Sequence, residues 1–103
     1  MTEQVRKVLL DAADLVEKGW TRGAMAVDRH GHAVAPDSPK ACRRCAYGAI
    51  YVAAGFCYEL TFKACEDFRV FMLGRYSQDI VDWNDSQRSK YPVVRALRKA
   101  AEG

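Results

Sequence analysis

The chain has 103 residues, half of them hydrophobic, and carries a formal net charge of +3 from 16 basic and 13 acidic side chains. That length makes residues 1–103 a single domain, and that apolar share excludes general disorder. No apolar run approaches the roughly 18 residues of a transmembrane helix, and the charged start, Met1-Thr2-Glu3-Gln4-Val5-Arg6-Lys7, does not read as a signal peptide.

The first predicted element is an amphipathic helix. Val5, Val8, Leu9, Ala12, Leu15 and Val16 recur at steps of three and four, with Arg6, Lys7, Asp11, Asp14, Glu17 and Lys18 on the other face. Thr2 is placed to cap its start, Lys18 sits in its last turn, and Gly19 stops it. Trp20 is expected to fold back onto it. Residues 23–35 hold two short runs of small and apolar residues around Asp28-Arg29-His30-Gly31. Asp first and Gly last suit a type I turn, so a short β-hairpin is expected at 24–35, with an irregular loop as the alternative.

A second helix is predicted over 39–54, with Ser38 as cap and Pro39 at its first position. Residues 45–54 are apolar nearly all round, which marks this helix as the central, buried one. Gly48 within it implies a close neighbour, with helix one or Trp20 expected there. Helix three is predicted over roughly 59–73. Leu60, Phe62, Ala64, Cys65, Phe68, Phe71, Met72 and Leu73 form its apolar side, and Gly74 is its expected stop. An acidic, polar stretch anchored by Trp83 follows. The last helix is predicted over roughly 90–102, capped by Ser89, with Val93, Val94, Leu97 and Ala101 inward and Arg95, Arg98 and Lys99 outward. The expected fold is therefore mainly α: about four helices around a central buried helix, with a short hairpin or loop at 24–35.

Charge is unevenly spread. Residues 1–19 sum to −1, 20–55 to +3, 56–87 to −3 and 88–103 to +4. Such blocks neutralise one another across a fold or form solvated faces; the sharper reading is an anionic partner at the C-terminal block. Cys42, Cys45, Cys57 and Cys65 lie in apolar or helical surroundings and read as packed, slowly reacting free thiols in a reducing cytoplasm. Cys42-Arg43-Arg44-Cys45 on a helix would lean both sulfurs to one face beside two arginines, as a redox or nucleophilic thiol requires, but the βαβ pattern that accompanies such motifs is absent. The cysteines alone lack the second tight pair of a zinc site; His30 and His32 on a turn could complete one with Cys42 and Cys45, but a zinc knuckle is a loop with glycine and not a helix interior. The order of an upstream hairpin histidine, Cys45 and Asn84 departs from that of papain-like enzymes, and Cys45 is expected to face the core. No metal or cofactor is expected.

Three islands carry a resemblance. They are Gly19-Trp20-x-x-Gly23-Ala24-x-Ala26-x-Asp28-x-x-Gly31, then Cys45-Ala46-x-Gly48-Ala49-Ile50, then Trp83-Asn84-Asp85 ahead of a basic helix. In order and spacing the chain resembles a family of small, functionally uncharacterised bacterial and bacteriophage proteins. The resemblance implies an intracellular, mostly helical protein and supplies no activity. In that family the last helix carries an acidic residue three positions after its Ser/Thr cap; here Pro92 stands there, and the reciprocal capping box is lost.

Trp83-Asn84-Asp85 is the most distinctive polar island. Its structural reading has Trp83 plugging the core and Asn84 or Asp85 making turn and cap hydrogen bonds. Its functional reading is a polar pocket near Trp20 and Trp83, with Asp28, Asn84 and Asp85 around it. Arg88, Lys90, Arg95, Arg98 and Lys99, with Tyr91 alongside, suit phosphates, although Asp85 and Glu102 dilute the patch and no helix-turn-helix is recognisable. The function expected is that of an intracellular interaction or regulatory protein, in a phage or mobile-element setting taken from the resemblance. It would bind a partner, most simply a protein, through residues among Trp20, Asp28, Trp83, Asn84, Asp85, Arg95, Arg98 and Lys99. The alternatives are a cysteine-dependent enzyme or redox protein using Cys42 and Cys45, and a nucleic-acid binder working through the C-terminal helix.

Overall fold

Five helices and one two-stranded ribbon make up the computed structural model, which describes residues 1–73 and 79–102. Helix α1, Glu3–Lys18, begins where the sequence places it: Thr2 Oγ1 accepts the Val5 N–H at 3.1 Å. Its apolar stripe of Val5, Val8, Leu9, Ala12, Ala13 and Val16 is buried. This helix holds the central place, packing against α5 (Lys90–Glu102), α2 (Ala46–Ala53) and α3 (Tyr58–Leu73). The expected class is thus the one found, mainly helical around a central helix with a short antiparallel ribbon, but α1 rather than the 39–54 segment is the centre.

That segment departs from its prediction for a physical reason. Ser38 and Pro39 start only a turn, closed by the Ala41 N–H on the Ser38 carbonyl at 3.0 Å. Tertiary partners then capture the backbone donors. Cys42 N–H donates to the Val27 carbonyl at 2.8 Å, Arg44 N–H to Gly19 at 3.0 Å and Cys45 N–H to Met25 at 3.1 Å. The result is strand β2, Arg43–Arg44, antiparallel to β1, Ala26–Val27. Helix α2 begins only after it, with Cys45 as its N-cap. The turn at Asp28–Gly31 does form, with the Gly31 N–H on the Asp28 carbonyl at 3.0 Å, and Val27 bridges Ala33. The expected 24–35 hairpin therefore shrinks to that bridge, and β1 takes its main pairing from a strand drawn out of the predicted helix.

Two glycines make this crossing feasible. A Cβ on Gly19 would stand 2.6 Å from the Cys42 carbonyl oxygen. A Cβ on Gly48 would overlap the Met25 carbonyl, so the close neighbour there is the strand entering β1, not helix one or Trp20.

Helix α3 matches its predicted range, and Gly74, its expected stop, lies outside the described residues. Its buried side chains are Thr61, Ala64 and Phe68; Phe62 and Phe71, assigned inward from sequence, are exposed. The stretch around Trp83 is a helix, α4 (Ile80–Ser86), begun by Asp79 accepting the Asp82 N–H at 2.8 Å. In α5, Val93, Val94, Leu97 and Ala101 are buried as expected, joined by Ala96 and Ala100. Among the described residues no helix is long and apolar enough to cross a membrane.

Candidate functional site

The first turns of α4 carry Asn84 into the interior, where it has no exposed surface. Its Oδ1 accepts the Trp20 indole N–H at 2.8 Å and the Ala46 backbone N–H at 3.0 Å. Its Nδ2 donates to the Thr21 carbonyl and to Asp85 Oδ1, both at 3.1 Å. Asp85 Oδ1 also accepts the Gly23 N–H at 3.0 Å, and Arg22 donates to the Gln87 carbonyl at 2.9 Å. The structure therefore does bring Trp20, Asn84 and Asp85 together. They form a junction that ties the 20–23 loop and the start of α2 to α4. Both lone pairs and both N–H groups of the Asn84 amide are engaged, which leaves it no free group to offer a ligand.

Asp28 and Trp83 lie elsewhere. Asp28 Oδ1 accepts the His32 N–H at 3.0 Å and the His30 N–H at 2.8 Å. The His32 bond, chiefly, holds its carboxyl below the usual carboxylate range. Trp83 is half-buried, edge-on to Phe68 with centroids 5.4 Å apart.

On α5 the three cations assigned outward from sequence divide. Arg95 and Lys99 are exposed, whereas Arg98 pairs with Glu17 and Asp14 of α1, which raises its pKa. Lys90 Nζ reaches the Glu17 carbonyl at 2.6 Å. A cleft of about 350 Å³ beside them is lined by Tyr91, Arg95, Arg98 and Lys99, but also by Glu17 and Glu102. Acidic α1 thus neutralises part of basic α5, as the charge blocks suggested.

The four thiols are free, in two classes. Cys45 is buried, its Sγ accepts the Gly48 N–H at 3.4 Å, and burial pushes its pKa up. Cys65 is half-buried and pushed up to about 12, first by burial and then by Cys45 and Glu66. Cys42 and Cys57 are exposed, which corrects the expectation that all four are packed. Because Cys42 precedes β2 and Cys45 caps α2, the two share no helix face. No group of three or more metal-ligating side chains occurs among the described residues.

One surface escaped sequence reasoning. Tyr58 is 74% and Phe62 69% exposed on the outer face of α3, with Val70 exposed two turns on. The Tyr58 ring lies 5.4 Å from Tyr51, which in turn lies 5.5 Å from Phe56. The signal was present: at 100° per residue, Tyr58 and Phe62 fall well away from the Thr61–Ala64–Phe68 stripe. The same face carries Glu59, Lys63, Glu66 and Arg69, the last two ion-paired at 3.1 Å.

No curated protein and no solved structure matches this chain. The model of one family, described as a family of unknown function (DUF6197), matches residues 1–103. The three islands pointed to an uncharacterised family of this kind, and the chain belongs to DUF6197 over its whole length.

Proposed function

We propose that this domain is an intracellular interaction module that docks on an amphipathic helix of a partner protein through the outer face of α3. The observation that carries this reading is the exposure of Tyr58 and Phe62 on one ordered helix. Single exposed apolar residues are ordinary, but aromatic side chains grouped on one face mark surfaces that gain by association. Glu59, Lys63, Glu66 and Arg69 give the face equal numbers of each sign. That balance fits a helix of mixed charge flanking an apolar stripe and gives no advantage to a polyanion. Four cysteines with no disulfide among them fit a reducing compartment. The phage or mobile-element setting rests on the resemblance alone.

The alternatives have less support. Buried Cys45 is far from the exposed, ionisable thiol that a dithiol mechanism needs. Beside α5, Glu17 of α1 and Glu102 share the cleft with Arg95, Arg98 and Lys99, and Arg98 is already paired with Glu17, which weakens the cleft as a phosphate grip.

A photo-crosslinker placed at Phe62, and in parallel at Arg95, identifies the contacting polypeptide. Its purified form is then titrated with variants. Tyr58→Ser/Phe62→Ser should weaken binding at least about tenfold, as loss of aromatic anchors does, while Arg95→Gln/Lys99→Gln leaves it unchanged. The reverse pattern, with steep salt dependence, would transfer the interface to α5.

A further inference from the structure

The exposed face of α3 carries its charges in an order that is complementary to its own reverse. Along the helix they run Glu59, Lys63, Glu66, Arg69, alternating acid and base. Read from the other end, the order is base, acid, base, acid. A second α3 laid antiparallel on the first therefore sets each charge against one of opposite sign. A parallel copy would set every charge level with its own like, which opposes pairing. Asp67 is turned about 100° round from Glu66, toward Met1 and Phe71, and lies off this face.

The side chains at the centre suit the same arrangement. At about 100° per residue, Tyr58 and Arg69 fall about 20° apart on one flank, with Phe62 beside them. Lys63, Glu66 and Val70 fall within about 60° of one another on the other flank. A two-fold axis that relates antiparallel helices joins like flanks. With that axis at residue 64, Lys63 comes within one residue, a rise of about 1.5 Å, of the level of Glu66 of the second copy. Tyr58 comes equally near the level of Arg69 of the second copy. The first pairing is ionic, and the second sets a guanidinium beside an aromatic ring. The two Phe62 rings lie on either side of the axis, about 6 Å apart along the helices. Glu59 and Lys63 form no ion pair among the described residues. The Glu66–Arg69 pair, at 3.1 Å, holds both of its side chains on this face.

We infer that α3 pairs antiparallel with α3 of a second copy of this chain, which makes the amphipathic helix that docks here the chain's own. The inference rests on the docking reading of the α3 face and names the occupant. An isologous contact of this kind closes on itself as a dimer and leaves no open surface to propagate. Confined to one helix face from each copy, it belongs with the small interfaces, below about 1,200 Å² in total, so the dimer is reversible and concentration-dependent.

Sedimentation equilibrium of the full chain between about 10 μM and about 1 mM, the range of weak association, tests this. The average mass should rise from that of one chain toward that of two. Phe62→Ser should raise the dissociation constant at least about tenfold, as loss of a central aromatic does. Lys63→Glu and Glu66→Lys should each weaken pairing by a similar factor, because either one sets like charges against each other. Mixing those two variants should restore a dimer of one with the other, since the acids of the first then face the lysines of the second. That rescue also shows that both variants are folded. A mixture that stays monomeric would overturn the antiparallel register. A dimer indifferent to Phe62→Ser and to both charge reversals would overturn this interface. A single-chain mass at every concentration would overturn the second copy as occupant. In that last case, a different polypeptide crosslinked at Phe62 leaves the docking reading standing, and no crosslink there removes both.

Discussion

Asn84 and Phe62 occupy opposite extremes of the same molecule. Asn84 is a polar side chain with no exposed surface, and Phe62 is an aromatic one with 69% of its surface in water. The first is stable where it lies because its amide is complete, with two hydrogen bonds accepted and two donated. A buried amide costs free energy only where its hydrogen bonds are missing. Phe62 has no such internal account, since the core is closed beneath it by Thr61, Ala64 and Phe68. The distinctive polar island of the sequence is therefore architecture, and an unremarkable-looking apolar residue is the better functional candidate.

The largest expected effect breaks the first half of that contrast. Asn84→Ala leaves the Trp20 indole N–H, the Ala46 N–H and the Thr21 carbonyl without their partner, the Ala46 N–H buried and the other two half-buried. At about 1–3 kcal/mol for each unsatisfied buried group, offset by relaxation and water entry, we expect a loss of about 3–4 kcal/mol in urea unfolding. A loss below about 1 kcal/mol would mean that the junction does not hold the 20–23 loop, and the polar pocket would return as a functional site.

Gly48→Ala comes next, acting on the same junction from the α2 side. The added methyl group meets the Met25 carbonyl, which is backbone and not a flexible side chain. We expect a cost of about 1–3 kcal/mol from overpacking, despite alanine's better helix propensity. A gain in melting temperature would show that β1 can move away and that the crossing is loose.

How much of this was legible differs by element. Helix α1, with its Thr2 cap and regular apolar steps, was readable because its signals are local. The 39–54 segment was misread because Ser38 and Pro39 are genuine helix-start residues. Their local preference loses to Val27, Gly19 and Met25, which take the N–H groups of Cys42, Arg44 and Cys45 from far along the chain. Helix α4 was missed because its acidic composition masked an Asp79 cap. Of the expected pocket, Trp20, Asn84 and Asp85 do meet while Asp28 and Trp83 lie elsewhere, and sequence carries no measure of whether an amide's hydrogen bonds close on the protein or remain open to a ligand.

Alkaline pH probes the buried thiols beside the junction more gently. Cys45 caps α2 next to Ala46, whose N–H Asn84 accepts, and burial raises the pKa of both Cys45 and Cys65. A raised folded-state pKa means that the unfolded chain releases its proton first. Stability is therefore unaffected below the ordinary thiol value near 9 and declines as pH rises from there toward about 12, the Cys65 value. Cys45→Ser/Cys65→Ser should flatten that decline between pH 9 and 10.5, relative to the parent at each pH. In the parent at pH 8, iodoacetamide should label Cys42 and Cys57 fast and Cys45 and Cys65 slowly. Uniform labelling of all four would show that α2 opens readily.

The smallest expected effect on stability is the one that tests the other half of the contrast. Phe62→Ser exchanges two residues of similar helix propensity at a position already in water, so unfolding free energy should move by no more than about 0.5 kcal/mol. Tyr58→Ser should cost slightly more, because the Tyr58 ring packs 5.4 Å from Tyr51 and such a pair contributes roughly 0.5–1.5 kcal/mol when well formed. Phe62 therefore gives the cleaner separation of folding from association. An aromatic ring held in water by an ordered helix costs free energy in the isolated chain, and its removal should improve solubility while weakening docking. If Phe62→Ser instead destabilises the monomer by more than about 1 kcal/mol, the ring is covered by the protein's own residues in solution. The α3 face would then be part of the core, and the case for a docking partner there would lose its foundation.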